Sequence, residues 1–339
     1  MALFKKNRWL GGLILVILPL VTALICIGVG RYSLSAGESF QVLFNGLVYG
    51  SKSVDPQSYS VIIGIRLPRI ILALLCGAGL AVAGASFQAL FTNPLATPDT
   101  LGVAAGASFG AVLALLVWEN LLWIQTVALL MGLLAVFLTY SISKLNGQAT
   151  VIMMVLSGIV ISSMFQAFVS LIKYLADPED KLPSITYWLM GSLASITYES
   201  LLIGAPFIIA GIVLVFALRW KLNVLSLSED EAHSMGVNVK RLRLLIVVAA
   251  TMTTVSAVSM CGQVGWIGLL VPHMARMMLG SNNRLVIPAS ISLGAVFMLV
   301  IDTVARSASA AEIPVSILTA TVGAPFFIFL LRRTGGAWM

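Results

Sequence analysis

The chain has 339 residues, 59% of them apolar and 10% charged, with a formal net charge of +7. Soluble domains hold roughly 25% charged residues, and a mean hydropathy of +1.03 is too high for one core surrounded by water. The balance excludes an ordinary soluble enzyme and predicts a polytopic membrane protein built from apolar runs of about 20 residues.

The chain opens with MALFKKNRWLGGLILVILPLVTALICIGVG, basic residues ahead of an apolar run, as in a secretory leader. The run from Trp9 to Gly30 is too long for a leader core, and no small-x-small cleavage pattern follows. It reads as a retained first span, 9–30. Turn and charge punctuation then predicts nine more, at 61–91, 101–118, 121–142, 149–172, 201–218, 244–261, 264–278, 285–303 and 313–331. The eighth is too short to cross as a straight helix.

The second span carries Arg66, Pro68 and Arg69 near its start, so its purely apolar part begins at Ile70. Three-residue spacing brings both arginines to one face. Further on, Gly77, Ala81 and Ala85 recur every four residues, as do Gly102, Gly106 and Gly110 in the third span. Small residues at this spacing let helix backbones approach where lipid offers no hydrophobic incentive, and the expectation is tight packing within the chain. Between the two stripes, FTNPLATPDTLGV places Pro94 and Pro98 where one helix ends and the next begins.

The largest connection on the side of the termini is Arg219 to Arg243. Ser228 and Glu231 fit a capping box, with Glu229 and Asp230 filling the first turn. Ala232, His233, Ser234 and Met235 continue the helix, and Gly236 supplies its stop before Val237. Asn238 then suits the cap of a second short helix carrying Lys240, Arg241 and Arg243. Two short helices joined by a glycine turn are more than a connector needs, and they suit docking of a cytoplasmic partner. In GWIGLLVPHMARMMLG, Pro272 is expected to end the eighth helix, with His273 and Arg276 at the inner boundary. Near the end of the ninth, Asp302 and Arg306 stand four apart, as an ion pair or as part of an outward ring of arginines suited to carboxylates.

An even number of spans puts both termini on one side. Thirteen of the 20 Lys and Arg residues then share that side and seven face the other, which makes the termini cytoplasmic. The positive charge reflects this asymmetry rather than nucleic-acid binding. Cys26, Cys76 and Cys261 sit unpaired in apolar stretches and read as core residues. No phosphate-cradling G-x-x-x-x-G-K-[ST] occurs, and His233 and His273 lack metal-ligand spacing. Acidic residues are not expected at mid-span, which argues against a proton relay.

Three blocks carry a resemblance: RLPRIILALLCGAGLAVAGASFQALFTNPLATPDTLGV, GWIGLLVPHMARMMLG and AEIPVSILTATVGAPFFIFLLRR, in that order. Together they resemble the FecCD permeases of iron-chelate and vitamin B12 importers across nearly the whole chain. The resemblance implies an all-α, ten-span type II ABC importer permease, one membrane domain over 1–339 with a coupling loop at 219–243. It implies a second permease copy or a paralogue, two cytoplasmic ATPase subunits that bind ATP and Mg, and an extracytoplasmic substrate-binding protein. No cofactor is expected in this chain, and the location implied is the cytoplasmic membrane of a prokaryote.

By the same resemblance, Arg66, Arg69 and Arg306 match outer arginines that contact the binding protein. Leu227 to Val237 matches the coupling helices, although the family usually has glycine where this chain has Ser228. The inner gate maps to the start of the fifth span, near Gly147, Thr150, Val151 and Ile152. Spans five, eight and ten are expected to line the path, with Ser157, Ser162 and Ser163 as its polar wall. Ferric siderophore is the first cargo expected, with haem, cobalamin and molybdate behind it. An ion-coupled secondary transporter is the alternative.

Overall fold

The computed structural model describes residues 8–32, 34–118, 120–145, 148–149, 151–227, 229–309 and 311–334. Each of the ten expected spans is a helix. In chain order the helices are α1 (Arg8–Gly28), α2 (Ala36–Val48), α3 (Pro56–Leu90), α4 (Val103–Val117) and α5 (Leu121–Ser143). There follow α6 (Val151–Leu175), α7 (Lys181–Leu189), α8 (Tyr198–Leu218) and α9 (Glu229–Ser234). The last four are α10 (Val239–Cys261), α11 (Ile267–Leu279), α12 (Asn283–Ser307) and α13 (Val315–Thr334). Lys144–Leu145 and Gln148–Ala149 pair as a two-residue antiparallel ladder below α5. Seven described helices are long and apolar enough to cross a bilayer, while α4, α11 and the Val315–Phe329 part of α13 are shorter. At 1.5 Å per residue, the 13 residues of α11 cover about 20 Å of a hydrocarbon layer roughly 30 Å thick.

Helix α3 is the central post, with 83% of its most apolar window buried. Its small-residue face explains why. A Cβ on Gly77 would lie 2.2 Å from the Gly294 carbonyl of α12, and one on Gly84 would lie 1.8 Å from the Gly268 carbonyl of α11. Backbones this close exchange dispersion contacts that larger side chains would hold apart. The second stripe behaves likewise at Gly106 and Gly110, which press on Met131 and Val127 of α5. Gly102 departs from expectation. It precedes α4 with φ of 79° and packs on Ile161 and Ser162 of α6, so its role is to turn the chain. The three cysteines are buried and free.

Two expectations about punctuation are corrected. Pro272 does not end α11, which continues through it to Leu279 and stops at Gly280, φ 84°. Proline leaves the carbonyl four residues earlier without its N–H donor, and here that carbonyl belongs to Gly268. Gln88 of α3 supplies the missing donor, its Nε2 lying 3.2 Å from Gly268 O. Nor is Asn238 the cap of a second short helix: its side chain accepts from Arg241 N at 3.0 Å and caps the full span α10. Pro68 is likewise absorbed, because the helix loosens to π geometry over Ser60–Arg66 just before it. Tyr198 Oη donates to the Ile63 carbonyl within that bulge at 2.6 Å.

Candidate functional site

Three places along the bundle combine polarity with shape. The first lies at the ends of α1, α3 and α12. The last carbonyls of α1 lack helical partners and carry the negative end of its dipole. Arg66 donates to Ile27 O and to Tyr32 O, both at 2.7 Å, and Arg306 donates to Cys26 O. Arg69 makes a charge-assisted bond from Nε to Asp302 at 2.8 Å and a two-point pair with Glu312 at 2.9 and 2.8 Å. Arg306 Nε lies 3.7 Å from the same Asp302 carboxylate. A Cβ on Gly30 would fall 2.5 Å from Arg66 Nη2, so a larger residue there would have to displace that guanidinium.

Arg66, Arg69 and Arg306 therefore do converge, but they point inward. Their exposures of 4%, 4% and 8% correct the expectation of guanidinium groups held open to a partner. The physical cause is the uncapped end of α1 together with a buried carboxylate, Asp302, and a half-buried one, Glu312, that pair with cations. Among the described residues three guanidinium groups gather about two carboxylates, so the cluster keeps one positive charge in excess. Asp302 and Arg306, offered as a simple pair by the sequence, are two members of this larger network.

The second place is a cavity of about 260 Å³ between the Thr97–Gly102 turn, α6 and the Gln263–Leu269 segment. Ser162 and Gln166 of α6 line it, as do Asp99, Thr254, Gln263 and Trp266. A Cβ on Gly158 would meet the Thr100 carbonyl at 2.0 Å, which seats this turn against the first half of α6. Asp99, in the turn between α3 and α4 rather than in a spanning helix, is the acidic side chain on this cavity's wall. Pro94 and Pro98 bracket the turn that brings it to that wall. Trp266 holds a positive φ of 70°, a strained conformation for a large residue. Its ring lies against Gly323 and is T-shaped to Phe327 of α13 at 6.4 Å.

Of the expected path residues, Ser162 lines this cavity, Ser157 is buried, and Ser163 is exposed and bonded to Ile159 O at 2.9 Å. Ile152 is exposed at the start of α6, and Val151 begins that helix, whereas Gly147 and Thr150 lie outside the described residues. The exposed face of α6 includes Leu156, Val160, Met164 and Leu171, and α13 exposes Ile317, Val322 and Phe329. These are broad apolar faces at the surface of the chain.

The third place is the connection into α10. A 3₁₀ turn over Lys221–Ser226 leads to α9, which Gly236 ends in a left-handed turn at φ 73°. There Val237 N donates to Ala232 O and Gly236 N to His233 O, at 3.0 and 2.9 Å. Ala232 and Val237 are buried and hold α9 in place, while Leu227, Asp230, Glu231, His233, Ser234 and Met235 face outward. Glu229 begins the helix; the expected cap Ser228 lies outside the described residues. Among the described residues no group of three His, Cys, Asp or Glu side chains is placed to hold a metal ion.

Comparison with known proteins places this geometry. The FecCD transport family matches residues 16–333. The chain is 41% identical to the molybdate import system permease protein MolB of Haemophilus influenzae, over 95% of this chain and 96% of that one. It is 38% identical to a probable iron chelatin transport system permease protein of Helicobacter pylori, over 93% and 96%. Among solved structures, one described as an inward-facing conformation of a metal-chelate type ABC transporter superposes with a TM-score of 0.85. Its identity is 39%, over 95% of this chain and 98% of that one.

Proposed function

Because the chain belongs to the FecCD transport family, we propose that it is the membrane permease of a binding-protein-dependent importer of a metal chelate, driven by ATP in partner subunits. It is a permease subunit and not an enzyme. The observation that supports the reading most is α9: a short helix anchored by Ala232 and Val237 that presents acidic and apolar side chains away from the bundle. A groove on each ATPase takes this helix, and its movement is passed through the Gly236 turn into α10. ATP and Mg belong to those subunits, and this chain carries no cofactor. The termini face the cytoplasm, as the Lys and Arg distribution favours.

At the opposite end the surplus positive charge of the arginine cluster attracts a carboxylate of the binding protein. That carboxylate takes Arg66 from the Ile27 and Tyr32 carbonyls, exchanging neutral acceptors for a charged one. A second copy or paralogue covers the apolar faces of α6 and α13, and the path runs between them. Ferric siderophore is the first cargo to test, and the molybdate permease among the relatives makes metal oxyanion the second. Elemental analysis of the co-purified binding protein decides: iron supports the first, molybdenum replaces it with the second. The ion-coupled alternative finds no support among relatives that are permeases of import systems. Arg66→Glu is expected to weaken capture of the binding protein at least about tenfold; unchanged affinity would remove the docking role.

A further inference from the structure

At the end of the bundle that carries α9, a cavity of about 730 Å³ opens between the end of α3, the Lys221–Ser226 turn and the α11–α12 junction. Gln88, Asn93, Asn223, His273, Arg276 and Asn283 are among its walls. Arg276 is partly buried and donates to Gln88 Oε1. At the other end of the molecule, Arg69 and Arg306 have carboxylates beside them. Arg276 does not: among the described residues no carboxylate comes within ion-pairing distance of it. A guanidinium drawn out of bulk water without a counter-ion is costly, and the cost is relieved by an anion.

The surroundings indicate which anion. The wall around Arg276 combines amides and hydroxyls with Ala89, Leu222 and Met277, and Asn93 Oδ1 already accepts from Leu95 N, which leaves its amide N–H groups for another acceptor. A planar guanidinium fork matches two oxygens of a tetrahedral oxyanion, and the Asn93 amide suits a third. We propose that this cavity is a binding site for a small tetrahedral oxyanion of the phosphate, sulfate or molybdate class, with Arg276 as its anchor. An occupant there touches α11 on one side and the turn leading into α9 on the other, so it ties the eighth span to the helix assigned to partner docking.

The test is calorimetric titration of the purified full chain, in detergent and low-chloride buffer, with inorganic phosphate, sulfate and molybdate in turn. Saturable binding of one anion per chain is expected for at least one of them. Arg276→Gln should lower that affinity at least about tenfold, and Arg276→Lys, which keeps the charge but not the fork, should lower it less. Arg276→Gln leaves no buried acid stranded, so it is expected to fold, as an unchanged melting temperature would verify. Arg284→Gln, an exposed arginine on the same face, should leave affinity within about twofold. Absence of saturable binding, or equal affinity in a folded Arg276→Gln variant, overturns the site. Binding that vanishes once the ATPase subunits are attached would show that a partner carboxylate fills it, which overturns the free-oxyanion assignment. The readout is independent of uptake, so this proposal and the import reading fail separately.

Discussion

Gly84 sits where α3 and α11 are so close that a single methyl group has nowhere to go. Gly84→Ala should therefore cost about 1–3 kcal/mol through overpacking, read as a lower melting temperature in detergent, whereas Gly12→Ala, with nothing within 4 Å, should not lower it. Equal effects would mean that the close approach is not what orders the bundle. In the arginine cluster the logic is electrostatic. Asp302→Asn removes the shared partner of Arg69 and Arg306 and should cost about 3–5 kcal/mol, since it strands buried positive charge. Asp55, which caps the start of α3, accepts from Ser58 N at 2.9 Å, and that bond holds its carboxyl below the ordinary carboxylate range. The cap's contribution is present above that range and is lost as pH falls through the lowered value. Faster amide exchange at Ser58 in acid, absent from Asp55→Asn, would be its signature.

Elements show how one residue's defect is repaired by another helix. Pro272 costs α11 a main-chain hydrogen bond, and Gln88 restores it from α3. Gln88→Ala should destabilise by about 1–3 kcal/mol, and by less when Pro272→Ala returns a main-chain donor to Gly268. A strictly additive double mutant would deny the repair. Gly236 is a different case, because a Cβ there meets nothing within 4 Å and only its positive φ resists substitution. Gly236→Val should cost about 1–2 kcal/mol of local strain and lower transport more than it lowers the melting temperature of the bundle. Such residues explain what the sequence could and could not disclose. The ten apolar helices were legible, because apolar length and glycine spacing are local signals. The passage of α11 through Pro272 was not, because the compensating donor lies 184 positions earlier in the chain. The place of Asp99 on a cavity wall and the inward turn of the arginines were hidden for the same reason: each depends on a partner helix that the linear pattern does not name.

Across the whole molecule the described polar features include a charged cluster that ties α1, α3 and α12, a small cavity beside α6, and an anchored helix at the far end. No one of these performs chemistry, and together they suit a conduit moved from outside itself. The most direct test is uptake into proteoliposomes containing this permease, with its binding protein and cargo supplied outside, with and without its ATPase subunits. The account predicts uptake only when the ATPase and internal ATP are both present, abolished when the Glu229–Gly236 segment is scrambled although the bundle still folds. Uptake that proceeds without the ATPase, on an ion gradient alone, would contradict it.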